Sequence, residues 1–179
     1  MNRRVAVRPR AVLFDRDGTL VHDVPYNEDP ALVRPVAGAR RALERLREAG
    51  LRIGLVTNQS GIARGLLTAR AVSAVNDELQ RQVGAFGAVA VCPHGPQDGC
   101  DCRKPAPGLV LQAAGALGLR PDETVVIGDI GADVRAAAAA GARSILVPTP
   151  ATRREEVEEA PVVAPDLDAA VDLVLAGLP

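Results

Sequence analysis

Short apolar runs recur along the chain, and each run ends in polar or turn-forming residues. The runs occupy residues 12–14, 51–56, 88–91, 124–127 and 144–147. Continuous apolar runs of this length are typical of strands that are buried on both faces of a sheet. We therefore predict a five-stranded sheet with both faces covered.

The segments between the runs carry apolar residues at helical spacing. A first helix is predicted to begin with Pro35 and to end before Gly50, and Thr68 is typical of a residue that caps the next one. Further helices are predicted over 69–83, 109–117, 132–140 and 166–175. This alternation of strands and helices predicts an α/β fold, a Rossmann-like three-layer α/β/α sandwich with a mainly parallel sheet.

The chain has the length of one domain. Its 179 residues can bury a sizeable core, and the short connections leave no segment for a large cap domain. We expect a single domain over 11–179. The preceding residues 1–10 are expected to form a flexible basic tail, since they contain Arg3, Arg4, Arg8 and Arg10.

Composition excludes several classes of function. The formal net charge is −1 and aromatic residues make up 2% of the chain, so neither a basic surface nor a stacking platform for nucleic acid is expected. No apolar segment is long enough to span a bilayer, and the N-terminus lacks the apolar core of a signal peptide. We expect a cytoplasmic monomer that binds neither nucleic acid nor membranes.

Polar side chains follow the ends of several predicted strands. Asp15 and Asp17 come directly after the first run, Thr57 after the second, and Asp129 after the fourth. Because the carboxyl ends of parallel strands share one edge of the sheet, these groups are expected to meet there. Carboxylate oxygens suit Mg²⁺, and Lys104 suits an anion such as phosphate. The combination favours phosphoryl transfer.

The cysteines are concentrated in one short segment. All three lie within residues 92–102, together with one of the two histidines. The pairs Cys-x-His and Cys-x-Cys offer the ligands Cys92, His94, Cys100 and Cys102, which could close a tetrahedron around Zn²⁺ and leave no open position. Such a zinc would be structural. The alternative is a loop that carries three reduced thiols.

Four motifs, in this order, resemble those of the haloacid dehalogenase-like phosphatases. They are Asp15-Arg16-Asp17-Gly18-Thr19, the segment 57–65, Cys102-Arg103-Lys104-Pro105, and Gly128-Asp129 with Asp133. The resemblance covers most of the predicted fold and is strongest to the branch that contains heptose bisphosphate phosphatases and histidinol-phosphate phosphatases. It implies a haloacid dehalogenase-like fold and an enzyme that hydrolyses phosphate monoesters.

The resemblance also implies a role for each motif. Asp15 would be the nucleophile that forms an aspartyl-phosphate, and Asp17 would act first as a general acid and then as a general base. Mg²⁺ would be held by the Asp15 carboxylate, the Asp17 backbone carbonyl and Asp129. Thr57 and Lys104 would complete the catalytic set by binding the phosphoryl oxygens.

Further residues are expected to contact the substrate. Besides Thr57 and Lys104, the candidates are Asp23, Tyr26, Asn58, Gln59, Ser60 and Arg103. Asp133 either orients Lys104 or the metal ligands, or is a solvated acid in the first turn of a helix. By the resemblance, we predict removal of the 7-phosphate from a manno-heptose 1,7-bisphosphate. Histidinol phosphate is the alternative substrate, and a non-catalytic, zinc-stabilised binding protein is a further alternative.

Overall fold

The computed structural model describes residues 8–178. The strands among them form one parallel sheet. The strands are β1 (Ala11–Phe14), β2 (Arg52–Asn58), β3 (Ala88–Cys92), β4 (Thr124–Gly128) and β5 (Arg143–Leu146). Their order in the sheet is β3-β2-β1-β4-β5, and all neighbouring pairs are parallel. The predicted strands are therefore confirmed, with ends that differ by at most two residues.

Helices cover both faces of the sheet. They are α1 (Ala39–Glu48), α2 (Ala69–Val83), α3 (Gly108–Ala116), α4 (Gly131–Ala140), α5 (Arg154–Glu159) and α6 (Leu167–Ala176). Val12 and Phe14 of β1 share a core with residues of α1, α2 and α6, whereas Ala11 and Leu13 share one with residues of α3 and α4. Alternate side chains of a strand point to opposite faces, so a wholly apolar β1 suits a sheet covered on both sides. The three-layer α/β/α prediction is confirmed.

Two helices differ from the prediction. The first begins at Ala39 instead of Pro35, because Pro35 pairs with Val21 in an isolated bridge and Gly38, at φ 80°, precedes the first turn. The apolar pattern does not predict α5, whose residues are mostly charged. The cap at Thr68 is present, since its side chain accepts a hydrogen bond from a first-turn backbone N–H at 3.0 Å.

Arg10, just before β1, is bonded to two other segments of the chain. The backbone N–H of Arg10 donates to Glu123 O at 2.8 Å, and its carbonyl accepts from Arg52 N at 2.9 Å. Its guanidinium also pairs with the Glu123 carboxylate at 3.1 Å. These bonds attach Arg10 to the starts of β2 and β4. Arg3 and Arg4 lie outside the described residues.

The connections leave the carboxyl edge of the sheet open. Between residues 8 and 178, each connection between successive strands contains one α-helix, and no cap domain is inserted. From the central β1 the sheet continues to β2 and β3 on one side and to β4 and β5 on the other, which creates a crevice at the carboxyl end of β1. No helix among the described residues is long and apolar enough to cross a bilayer.

Candidate active site

Separate segments of the chain meet at the carboxyl edge of the sheet. Asp15 directly follows β1, and its backbone N–H donates to Ile127 O of β4 at 2.9 Å. Thr57 is buried near the end of β2, Asp129 directly follows β4, and Lys104 lies in the loop between β3 and α3. The residues predicted for the catalytic edge thus reach it from the ends of β1, β2 and β4 and from the loop after β3.

Lys104 forms the centre of a buried charge cluster. Its Nζ donates to Asp15 Oδ1 and Asp133 Oδ1, both at 2.6 Å, and to Val56 O at 2.9 Å. Burial disfavours the charged ammonium, but the Asp133 and Asp15 carboxylates outweigh it and raise the pKa of Lys104 above its usual range. Asp133 is 1% exposed. It therefore orients Lys104, and its interpretation as a solvated acid is wrong.

Three buried carboxylates lie beside one another. Oxygens of Asp15, Asp129 and Asp133 fall within 4.8 Å of one another. Burial raises the pKa of Asp15 well above its usual range, and burial together with Asp133 raises the pKa of Asp129 to about 6. Hard oxygen ligands at this spacing fit Mg²⁺, whose charge would relieve the repulsion. The Asp17 carboxylate is not in this group. Of Asp17, only the backbone carbonyl was predicted to bind the ion.

Two glycines allow the carboxylates to approach the backbone. Gly18 has φ +81°, and a Cβ there would lie 2.4 Å from Asp129 Oδ2. A Cβ on Gly128 would lie 2.2 Å from Asp133 Oδ2. Each contact is far shorter than van der Waals distance, so any side chain at either position would displace a carboxylate.

The Asp17 carboxylate is held from two sides. Arg16 Nε donates to its two oxygens at 3.1 and 3.2 Å, and Gln59 Nε2 donates to Oδ2 at 2.9 Å. The same Gln59 amide contacts Thr57 Oγ1 at 2.9 Å. Arg16 in turn donates from Nη1 to Asn76 Oδ1 of α2 at 2.9 Å. Sequence reasoning missed Arg16 and Asn76, although Arg16 lies inside the first motif.

A cavity of about 230 Å³ opens beside Asp17. It is lined by the predicted substrate-binding residues Asp23, Tyr26, Asn58, Gln59 and Ser60. Asn58 also supports Lys104, since its amide exchanges two hydrogen bonds of 3.1 Å with the lysine backbone. The Arg64 guanidinium lies 5.5 Å from the centroid of the Tyr26 ring and hydrogen-bonds its hydroxyl. The two loops that form this cavity are thereby joined.

The predicted zinc ligands lie together. Cys100 Sγ lies 3.7 Å from Cys92 Sγ and 3.5 Å from Cys102 Sγ, and the last two are 2.7 Å apart. His94 Nδ1 lies 3.6 Å from Cys92 Sγ and 3.2 Å from Cys102 Sγ. Bonds of about 2.3 Å to a tetrahedral zinc would separate sulfur ligands by about 3.8 Å. The two Cys100 separations are close to this value, whereas Cys92 Sγ and Cys102 Sγ would have to move apart by about 1 Å to hold the ion. All three thiols are free of disulfides.

Segment 92–102, which carries the four predicted zinc ligands, is followed directly by Arg103 and Lys104. Arg103 N donates to Cys100 Sγ at 3.4 Å, and its guanidinium Nη1 donates to His94 O at 3.1 Å. Arg103 lines a second cavity of about 260 Å³ with Lys104. It is not among the residues that line the cavity beside Asp17.

Contacts that sequence reasoning missed support the Asp129 loop. Thr152 Oγ1 donates to Asp129 O at 2.6 Å, and Gly131 N donates to Glu156 Oε1 at 3.1 Å. Arg153 holds the other Glu156 oxygen through its backbone N–H at 3.0 Å. These bonds join α5 and its preceding loop to the start of α4. A mostly charged segment offers no periodic signal from which they could be foreseen.

The fold and the site define the class of protein, a hydrolase built for phosphoryl transfer at the switch point of a parallel sheet. A family model described as haloacid dehalogenase-like hydrolase matches residues 12–82, and a HAD-hydrolase-like model matches residues 101–174. The chain belongs to the haloacid dehalogenase-like hydrolases. The prediction of a phosphoric monoester hydrolase is confirmed by its relatives, which are phosphatases.

Two of these relatives carry the same name, D-glycero-beta-D-manno-heptose-1,7-bisphosphate 7-phosphatase. The protein from Pseudomonas putida is 36% identical over 145 residues, which is 78% of this chain and 83% of that protein. The protein from Haemophilus ducreyi is 35% identical over 178 residues, which is 92% of this chain and 96% of that protein.

A solved structure shares the fold. It is D,D-heptose 1,7-bisphosphate phosphatase from B. bronchiseptica, complexed with magnesium and phosphate. It superposes with a TM-score of 0.82 at 33% identity and covers 93% of this chain and 98% of its own. The similarity confirms the predicted fold class.

Proposed function

We propose that this protein is a magnesium-dependent phosphatase that removes the 7-phosphate of a D-glycero-D-manno-heptose 1,7-bisphosphate. One observation carries the proposal: Asp15, Lys104 and Asp129 converge at one edge of the sheet, with Asp17 beside a cavity. Relatives named for this reaction, 36% identical over most of the chain, support the choice of substrate.

The proposed reaction has two displacements at phosphorus. In the first, an Asp15 carboxylate oxygen attacks phosphorus, the bond from phosphorus to the C7 oxygen breaks, and Asp17 gives that oxygen a proton. The sugar alcohol leaves and an aspartyl-phosphate remains. In the second, Asp17 takes a proton from water, the water oxygen attacks phosphorus, and Asp15 leaves as a carboxylate. One ester bond and one water are consumed, and inorganic phosphate is released.

The remaining groups of the catalytic set balance charge. The Lys104 ammonium and the Thr57 hydroxyl are proposed to bind the phosphoryl oxygens. Mg²⁺ would be held by the Asp15 carboxylate, the Asp17 backbone carbonyl and Asp129, and it supplies positive charge that lets an anionic nucleophile approach a phosphate. The relative crystallised with magnesium and phosphate supports this assignment.

The cavity beside Asp17 is proposed to receive the sugar. The residues assigned to substrate contact are Asp23, Tyr26, Asn58, Gln59, Ser60 and Arg103. Tyr26 offers a flat face that suits a sugar ring, and its position is held by Arg64. Arg103 offers a guanidinium beside Lys104, which suits a further anionic or polar group.

A structural zinc ion is the second metal of the proposal. Its ligands would be Cys92, His94, Cys100 and Cys102, and this complete set of four leaves no position for catalysis. Because Arg103 and Lys104 follow the last ligand directly, ordering of this loop by the metal would lower the entropy cost of phosphate binding. Metal analysis of the purified protein should give about one zinc per chain. Protein that is active and folded without zinc would support the free-thiol alternative.

Turnover of two substrates tests the function. With Mg²⁺ present, we expect kcat/KM for the heptose bisphosphate to exceed that for histidinol phosphate by at least about tenfold. Asp15→Asn should bring both rates to background, because the nucleophile is lost. A preference for histidinol phosphate would overturn the proposed substrate and leave the hydrolase class intact.

We also propose that the protein acts as a monomer in the cytoplasm. A cluster of free thiols suits a reducing compartment. Light scattering in solution should give a mass near 18.6 kDa. A multiple of this mass would contradict the monomer.

A further inference from the structure

Arg16 is a charged residue to which the proposed reaction gives no role. It lies between the proposed nucleophile Asp15 and the proposed acid Asp17, and it is 2% exposed, which makes it one of the largest fully buried side chains. A guanidinium is rarely buried unless its charge and its hydrogen bonds are satisfied by neighbours. The neighbours that satisfy it are Asp17 and Asn76.

We propose that Arg16, anchored by Asn76, is a positioning residue that keeps the Asp17 carboxylate directed at the leaving oxygen. The proposal rests on the proposed function, in which Asp17 protonates that oxygen. Proton transfer of this kind requires the acid within hydrogen-bond reach of the atom that it protonates. A residue that fixes the orientation of Asp17 therefore affects the rate through Asp17.

The contacts determine which Asp17 oxygen is available. Oδ2 accepts from Arg16 Nε at 3.2 Å and from Gln59 Nε2 at 2.9 Å, whereas Oδ1 accepts from Arg16 alone at 3.1 Å. Oδ1 thus keeps a lone pair for the proton that is transferred. The Asp17 side chain is 27% exposed and lines the cavity proposed for the sugar.

Arg16 is held by hydrogen bonds at both its guanidinium and its backbone carbonyl. Asn76 is buried on α2, and its Oδ1 accepts from Arg16 Nη1 at 2.9 Å. The Arg16 carbonyl accepts from the backbone N–H groups of Leu20 and Val21, both at 3.0 Å, which keeps its backbone in the turn. Arg16 therefore has a rigid support on each side of the bond that it makes to Asp17.

The first experiment replaces the guanidinium by Arg16→Met. With a sugar phosphate we expect kcat to fall about 100-fold and KM to stay within about threefold, as for a misplaced catalytic group. With p-nitrophenyl phosphate, whose leaving group departs without a proton, the first-turnover burst should slow by less than about threefold. The burst reports the first displacement alone.

Two further variants separate a loss of catalytic rate from a loss of stability. Asn76→Leu removes the anchor without touching Asp17, and we expect about a tenfold loss in kcat with the same dependence on leaving group. Arg45→Met breaks a guanidinium pair with Asp168 and Asp172 between α1 and α6, and Arg45 belongs to none of the motifs. It should lower the melting temperature and leave kcat unchanged.

The outcomes separate this inference from the proposed function. Equal losses with both esters, or normal kcat in both Arg16→Met and Asn76→Leu, would overturn the positioning role while the phosphatase activity of the unmodified enzyme stands. Absence of turnover in the unmodified enzyme would overturn the proposed function, and this inference with it. Slow sugar-phosphate turnover with a near-normal burst supports the role.

Discussion

Single residues of the site are constrained by how closely carboxylates approach the backbone. Asp133 reaches Lys104 from α4 only because Gly128, at the end of β4, has no side chain in its path. The sequence shows Asp133 near a motif, but the choice between orienting Lys104 and facing solvent depends on a rotamer. Such choices are made by tertiary packing and are not readable from spacing.

The variant Gly128→Ala tests this constraint. Its Cβ would lie 2.2 Å from Asp133 Oδ2 and 2.4 Å from Asp133 Cβ, so the carboxylate must move away from Lys104. We expect the free energy of unfolding to fall by about 1–3 kcal/mol and kcat to fall at least about tenfold. Denaturant unfolding and phosphate release measure the two effects.

Gly115→Ala is the matched control. Gly115 lies within α3, where an added Cβ meets nothing within 4 Å. Alanine favours the helix, so this variant should gain about 0.5–1 kcal/mol and keep its activity. Equal behaviour of the two alanine variants would show that space beside Asp133 does not matter.

Elements differ in how far their sequence predicts them. The strands were predictable because burial on both faces leaves continuous apolar runs, and Thr68 was predictable because a cap has a local chemical signature. The placement of α5 was not, since it depends on bonds from Thr152 and Glu156 to backbone groups of distant segments. The bridge between Pro35 and Val21 was not predictable either, because it also depends on pairing with a separate segment.

A pH-dependent test belongs to the junction between α5 and α4. Hydrogen bonds, first of all that from the Arg153 side chain, lower the pKa of Glu156 from its ordinary 4.5 to about 2. A depressed pKa stabilises the fold above the ordinary value and loses that contribution as pH falls toward the folded value. Glu156→Gln should therefore cost about 1–2 kcal/mol at pH 7, and this difference should shrink below about pH 4.5.

Urea unfolding of both proteins across this range measures the difference. Glu158→Gln is the control, because Glu158 makes an exposed ion pair with Arg154. Its effect should stay below about 0.5 kcal/mol at every pH. A pH-independent cost for Glu156→Gln would contradict the role of its charge.

At the scale of the whole molecule, the site could be predicted because parallel strands bring distant residues to one edge. Asp15, Thr57 and Asp129 could be assigned to that edge from the strand ends alone. The hydrogen-bond partners of each side chain could not be predicted in this way. Arg103 contacts the His94 carbonyl, and Asn58 supports the Lys104 backbone, because of loop conformations that no local pattern records.

Zinc removal tests how this loop supports the rest of the molecule. Because the proposed zinc ligands end two residues before Lys104, we expect chelation to lower the melting temperature and to reduce kcat at least about tenfold with Mg²⁺ restored. Return of zinc should recover both. Normal turnover in protein that contains no zinc would contradict the coupling.

The central position of β1 also has a consequence during synthesis. One neighbour of β1 is β4, and the bond between Arg10 and Glu123 beside them spans 113 residues. In a nascent chain that has left the ribosome only as far as β3, the β1 edge that pairs with β4 lacks its partner strand, and Asp129 is not yet present. Until β4 has been synthesised, the growing polypeptide lacks part of the proposed catalytic site, and its unpaired β1 edge favours aggregation.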